Sequence, residues 1–171
     1  SLDSYEQNIK IGMTVVNALQ KKSIKHLIYL SSCAVYGEKN EQKNISETAK
    51  INPTSFYGDS KVSLEILLNH MKNDGRISYL SILRPTTIYG DHRIPTYCPS
   101  GFVGKLINVN IIEIWGDGKE KRDFFYIDNF IDVIFYLLKE PKNITLNLAS
   151  GMSTSFDQLL KQISFHLKEI K

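Results

Sequence analysis

The chain has 171 residues, 42% of them hydrophobic and 23% charged, with a formal net charge of +3; this is enough for a real core and ordinary for a globular protein. So small a charge, with no basic cluster interleaved with aromatics, argues against a nucleic-acid partner. No apolar run approaches a membrane span and no signal-peptide pattern is visible, so the expectation is a cytoplasmic protein with no membrane partner. The two cysteines, Cys33 and Cys98, have no metal-ligand spacing, so free thiols and no metal site are expected.

In chain order, Ser1 to Gln20 reads as a helix. Ile9, Met13, Val16 and Leu19 recur at helical spacing, and Asp3 or Ser4 is the expected cap. His26 to Leu30 reads as a buried strand running into Ser31-Ser32-Cys33-Ala34-Val35-Tyr36-Gly37, and Glu38 to Asn52 is a polar loop. Thr54 and Ser55 are good caps for a helix through Tyr57, Lys61, Leu64, Leu67 and Leu68, ending at Gly75 as a left-handed cap. Tyr57 and Lys61 are four apart, so a helix puts them on one face. A fixed ammonium beside a phenol favours the phenolate, which suits general acid–base work.

The segment Ile77 to Ile88 holds the next strand, which Pro85 should stop because proline donates nothing to a ladder. Asp91 to Ser100 is a loop, Gly101 to Asn108 a short helix and Ile111 to Trp115 a strand. Asp128 is expected to cap a helix from Asn129 to Lys139, with Ile131, Ile134, Phe135 and Leu138 as its apolar face. Thr145 to Leu148 is a short strand, and Ser153 or Ser155 opens a last amphipathic helix.

A serine at a strand end followed by a tyrosine–lysine helix resembles the short-chain dehydrogenase/reductase superfamily. The Ser-Ser-x-x-Val-Tyr-Gly form at 31–37 is similar to its extended branch, the NAD-dependent nucleotide-sugar epimerases and dehydratases. Arg84-Pro85-Thr86-Thr87-Ile88-Tyr89-Gly90 and the run Gly116-Asp117-Gly118 to Arg122-Asp123-Phe124 and Tyr126-Ile127-Asp128 resemble further segments of that family. So does Asn8-Ile9-Lys10-Ile11-Gly12, with Ile11 and Gly12 where glycine and threonine are usual. The resemblance implies an α/β fold: the later part of a Rossmann-like doubly wound parallel sheet, plus part of a substrate lobe. It implies domains at 1–90 and 91–171, the second interleaved with the last Rossmann elements.

It also implies roles. Ser32, Tyr57 and Lys61 would be catalytic. Asn8, Ser31, Tyr57, Lys61 and Pro85 would lie on the NAD side. Ala34, Thr87, Arg93 and Arg122 would face a nucleotide-sugar, Arg122 offering a planar guanidinium fork to the diphosphate. Thr87 stands where the family has an asparagine, with a shorter polar reach. Ala34 and Cys33 occupy the places where dehydratases carry acids, so epimerase ranks first, ketosugar reductase second and 4,6-dehydratase low. A non-catalytic binding or scaffold protein is the rival from another class.

A dinucleotide-binding fold opens with a strand, a glycine-rich turn and a helix N-terminus for the pyrophosphate. None of the ten glycines forms such a set. The expectation is therefore a fragment that alone binds NAD weakly and is inactive. Its first strand would be an apolar edge open to pairing with another chain, and a homodimer through the Ser4 and Tyr57 helices is the second route to assembly.

Overall fold

The computed structural model describes residues 1–37, 44–90, 99, 102 and 117–169, with side chains through residue 166. It divides into two compact units. The first comprises Ser1–Pro85 and Asp132–Leu148, the second Thr86–Ile131 and Ala149–Lys171. The first change of unit comes after Pro85, and a later segment returns to the first unit.

The first unit is an α/β layer. Helix α1 (Leu2–Lys21) is capped by Ser1, whose side chain accepts from the Ser4 amide. The cap therefore lies ahead of the expected Asp3 or Ser4, and Asp3 sits instead in the first turn, where a carboxylate suits the helix dipole. Strand β1 (Ile24–Leu30) leads through Ser31 and Ser32 into a 3₁₀ turn, Cys33–Tyr36. Helix α2 (Phe56–Asn73) is capped by Ser55, which accepts from Gly58 N. It is closed by Gly75 at φ +73°, the left-handed conformation glycine adopts without strain. Strand β2 (Ile77–Pro85) follows, and β5 (Ile144–Leu148) completes a parallel sheet of order β1-β2-β5. The register pairs Leu30 with Leu83 and Arg84 with Asn147. Among the described residues β1 has a strand partner on one side.

Burial on both faces makes the central strand a near-continuous apolar run, as parallel sheets require. Leu80 and Ile82 join Val16 and Leu19 of α1 and Leu68 of α2 in one core cluster with Ile77. Each such side chain contributes about 1.5–3 kcal/mol when fully buried. Gly12 lets α1 approach α2 closely, because a Cβ there would collide with the Leu64 side chain.

The second unit contains β3 (Thr87–Tyr89), β4 (Lys121–Tyr126) and β6 (Ser153–Ser155), with β3 parallel and β6 antiparallel to β4. The strand expected to stop near Pro85 does end there, proline having no N–H to donate, and Thr87–Tyr89 forms a separate strand in a second sheet. Asp123 ties this unit together. It accepts from Thr86 Oγ1 at 3.2 Å and from the amides of Ser150 and Gly151 at 2.8 Å each.

Two helix expectations need correction. Helix α3 spans Ile127–Lys139, so Asp128 lies in its first turn instead of capping it. Its buried positions are Phe130 and Leu137, whereas Ile131, Phe135 and Leu138 are exposed. Helix α4 (Phe156–Glu169) opens at Ser155, one of the two expected positions, while Ser153 belongs to β6. Ser155 Oγ accepts from Gln158 N while Gln158 Oε1 accepts from Ser155 N, a reciprocal capping box. The loop expected at Asp91 to Ser100, the helix at Gly101 to Asn108, the strand at Ile111 to Trp115, Arg93 and Cys98 lie outside the described residues, Pro99 and Phe102 apart.

Candidate functional site

The site of the first unit is built where β1 ends and α2 begins. Ser32 caps the 3₁₀ turn: its Oγ accepts from Ala34 N at 3.2 Å. It is 9% exposed. A hydroxyl has one donor and two acceptor positions, so this bond leaves the Ser32 proton for another acceptor. Tyr57 stands in the first turn of α2 and is 44% exposed. The two elements are pressed together at Gly58, where a Cβ would lie 2.6 Å from the Ala34 carbonyl oxygen and 2.9 Å from Pro53 Cβ. Glycine is thus needed where the tyrosine-bearing turn meets the serine-bearing one.

Lys61 reaches back across this junction. Its Nζ donates to the Leu30 carbonyl at 2.8 Å and lies 5.5 Å from the ring centroids of both Tyr57 and Tyr29. Burial pulls its pKa below the ordinary lysine value. One carbonyl uses one of three ammonium hydrogens, leaving two donors for a ligand. The two tyrosines beside it differ. Tyr29 has its pKa pushed well above the ordinary value, first by burial and then by the charges of Glu65 and Tyr57. Its hydroxyl is buried without a hydrogen-bond partner among the described residues. Tyr29 is therefore unsuited to acid–base work near neutral pH, while Tyr57 is open to solvent.

The remaining expected residues fall as follows. Asn8 of α1 donates through Nδ2 to Ser60 Oγ at 3.3 Å, and Ser60 Oγ donates to the Tyr57 carbonyl at 2.7 Å. Asn8 is thus tied to the tyrosine-bearing turn. Ser31 is turned inward: its hydroxyl donates to Glu65 Oε1 at 2.5 Å. Ala34 lies in the 3₁₀ turn and Pro85 ends β2. Thr87 and Arg122 belong to the second unit. There Arg122 pairs with Glu120 at the surface, and Thr87 pairs with Phe124 across β3 and β4.

A buried polar network beneath the site was not anticipated. Arg84 Nε and Nη2 donate to the two carboxylate oxygens of Glu65 at 3.0 and 2.6 Å. Arg84 Nη1 donates to Tyr36 Oη, which donates to Asn147 Oδ1, both at 2.7 Å. Burial works against the Arg84 charge, but the hydrogen bonds with Glu65 and Tyr36 hold its pKa above the ordinary value. The signal was available: an arginine directly after the largely apolar run Leu80 to Leu83, and a glutamate on the helix face of Leu64 and Leu68, need partners if buried.

Among the described residues no group of three or more His, Cys, Asp and Glu side chains is arranged to hold a metal ion, and no helix is long and apolar enough to cross a membrane.

The model of the NAD dependent epimerase/dehydratase family matches residues 1–149. An uncharacterized UDP-glucose epimerase, YtcB, of Bacillus subtilis is 31% identical over 92% of this chain and 48% of its own length. A putative UDP-glucose 4-epimerase of Methanocaldococcus jannaschii is 30% identical over 94% of this chain and 53% of its own. Among solved structures, a UDP-glucuronic acid 4-epimerase from Bacillus cereus, in complex with UDP-glucuronic acid and NAD, superposes with a TM-score of 0.84 at 27% identity. That superposition covers 94% of this chain and 51% of the other. The chain thus spans about half the length of the relatives it matches. The match over residues 1–149, on a parallel α/β sheet, places this chain in the NAD dependent epimerase/dehydratase family.

Proposed function

We propose that this chain carries the catalytic half of a nucleotide-sugar epimerase that works with NAD. The observation that carries the reading is the Lys61 ammonium, anchored on the Leu30 carbonyl and set beside the exposed Tyr57 ring. These residues fit the nicotinamide-ribose side of the cofactor. Lys61 has two donors left for ribose hydroxyls, Tyr57 is accessible, and Asn8 braces the Tyr57 turn through Ser60. NAD, when bound, supplies the hydride acceptor and donor.

The chain's own residues handle the proton and the oxygen. Tyr57 takes the proton from a sugar hydroxyl and returns it at the end of the cycle, with the Lys61 charge favouring the phenolate. Ser32 uses its remaining proton to hydrogen-bond the same sugar oxygen and stabilise its developing charge. Arg122 is assigned to the diphosphate, where its fork matches phosphate oxygens once it leaves Glu120; Thr87 and Arg93 are assigned to the sugar side. Ala34 and Cys33, in place of acids, favour epimerisation over water elimination, with ketosugar reduction the alternative within the family.

With no glycine-rich pyrophosphate turn among its ten glycines, residues 1–171 alone are predicted to bind NAD weakly and to be inactive. Calorimetry with NAD, on 1–171 and on the complete protein that carries it, tests this. Binding by the complete protein only supports the reading. Binding by neither overturns it and leaves a non-catalytic protein on the same fold. The side of β1 that has no strand partner among the described residues, and the exposed Ile11 and Ile66 of α1 and α2, favour self-association; a monomer by light scattering would contradict that part.

A further inference from the structure

Glu65 and Arg84 have no place in the chemistry described above, yet both are only 4% exposed. A buried ion pair is poor evidence for stability, because well-packed apolar residues of similar volume often do as well or better. Something other than stability should account for this one, and its connections suggest what.

Glu65 Oε1 accepts from both Ser31 Oγ and Arg84 Nε, and Glu65 Oε2 accepts from Arg84 Nη2. Arg84 Nη1 donates to Tyr36 Oη, whose own proton goes to Asn147 of β5. Ser31 immediately precedes Ser32, and Tyr36 ends the 3₁₀ turn that Ser32 caps. The pair therefore grips that turn at both ends. Glu65 itself stands one helical turn beyond Lys61 and two beyond Tyr57, on the same face of α2. Arg84 is fixed in the central strand, hydrogen-bonded within the sheet on both sides. One two-residue unit thus joins the turn that presents Ser32 to the helix that presents Tyr57 and Lys61.

We propose that the Glu65–Arg84 pair is a positioning clamp for the site, holding the Ser32 turn and the Tyr57–Lys61 helix in one fixed relation. The clamp touches no substrate; it acts through Ser31, Tyr36 and the α2 backbone. Its catalytic consequence rests on the function proposed above, whereas its mechanical consequence does not.

The test uses the complete protein and the double variant Glu65→Leu/Arg84→Met, which removes both charges together. Three quantities are measured: thermal midpoint, kcat and KM for a UDP-hexose, and the rate of thiol labelling at Cys33. Cys33 lies within the clamped turn and is partly buried; Cys98 is replaced by serine and labelling is read on the Cys33 peptide itself by mass spectrometry, so that no other thiol contributes. The clamp predicts a midpoint within a few degrees of the parent, kcat lowered at least about tenfold with KM within about twofold, and Cys33 labelling several-fold faster. A purely structural pair would lower the midpoint and leave kcat and labelling of the folded protein unchanged, which overturns the proposal. Should the double variant fail to fold, Ser31→Ala/Tyr36→Phe cuts the two tethers and leaves the ion pair; unchanged Cys33 labelling there overturns the clamp. If the parent itself shows no turnover, the proposed function fails, and Cys33 labelling alone still decides the clamp.

Discussion

Substituting Gly58 by alanine tests the link between packing and chemistry. Gly58 is the third residue of α2, directly after Tyr57. Alanine in a helix interior is worth up to about 1 kcal/mol over glycine, so propensity alone predicts stabilisation. The local packing predicts the reverse. The new Cβ would lie 2.6 Å from the Ala34 carbonyl oxygen, where ordinary contact begins at 3.4 Å. The obstacle is backbone, with Pro53 Cβ at 2.9 Å on another side, so no side chain can swing away. The start of α2 must retreat from the 3₁₀ turn by about 0.8 Å, and overpacking of this kind costs about 1–3 kcal/mol. Against the full propensity gain, the net loss is about 0–2 kcal/mol, centred near 1 kcal/mol. In urea, with a slope of about 2 kcal/mol/M, the midpoint should fall by about 0.5 M and by at most about 1 M. The same retreat carries Tyr57 away from Ser32, and misplacement on that scale can lower turnover about 100-fold. Equilibrium urea unfolding and initial rates, both on the complete protein, measure the two effects. A Gly58→Ala protein that is as stable as the parent or more so, with turnover intact, would refute the packing argument. Gly75→Ala is the control. It has open space but φ +73°, so it should cost about 1 kcal/mol with turnover unchanged.

Other expectations follow from the same geometry. Tyr57→Phe should lower turnover by about 10²–10⁴-fold and leave circular dichroism unchanged, since the change removes one hydroxyl from a residue that is 44% exposed. Lys61→Arg should not restore the activity lost in Lys61→Met, because a guanidinium cannot occupy a site shaped for a point charge on one carbonyl; steady-state rates of the two variants decide this. The Glu47 carboxylate is held below its ordinary pKa first by the Asn147 backbone amide, which donates to it at 2.8 Å. A depressed folded-state pKa contributes stability above the unfolded value and loses it as pH falls through the folded one. Thermal midpoints taken below the ordinary glutamate range should therefore fall less steeply with acid in Glu47→Gln than in the parent. Ser155→Ala breaks the capping box of α4 and should cost about 1 kcal/mol in urea unfolding.

Much of the site was legible because it is local. The tyrosine–lysine pair needs only helical spacing, and the cap at Ser55 follows from residue type. The strand-end serine needs only an apolar run that stops. What was missed depends on contacts far apart in sequence. The Glu65–Arg84 pair joins a helix to a strand, and nothing in the spacing of either residue names the other. The face of α3 was misread for a different reason. From Phe130 to Leu138 the helix is apolar nearly all round, so periodicity selects no unique side, and Phe130 and Leu137 are buried instead of Phe135 and Leu138. The break after Pro85 was half legible: proline ends a ladder, but only the three-dimensional pairing reveals that Thr87–Tyr89 begins a second sheet.

The central claim is that Tyr57, Lys61 and Ser32 move a sugar proton while NAD carries the hydride. The most direct measurement is single-turnover absorbance of the reduced nicotinamide, after mixing the complete protein and NAD with a panel of UDP- and dTDP-hexoses, in the parent and in Tyr57→Phe. The account predicts a transient with at least one sugar in the parent, accompanied by the epimeric product, and none in Tyr57→Phe. A transient of equal size in the variant, or bound NAD with no reduction by any sugar of the panel, would contradict it.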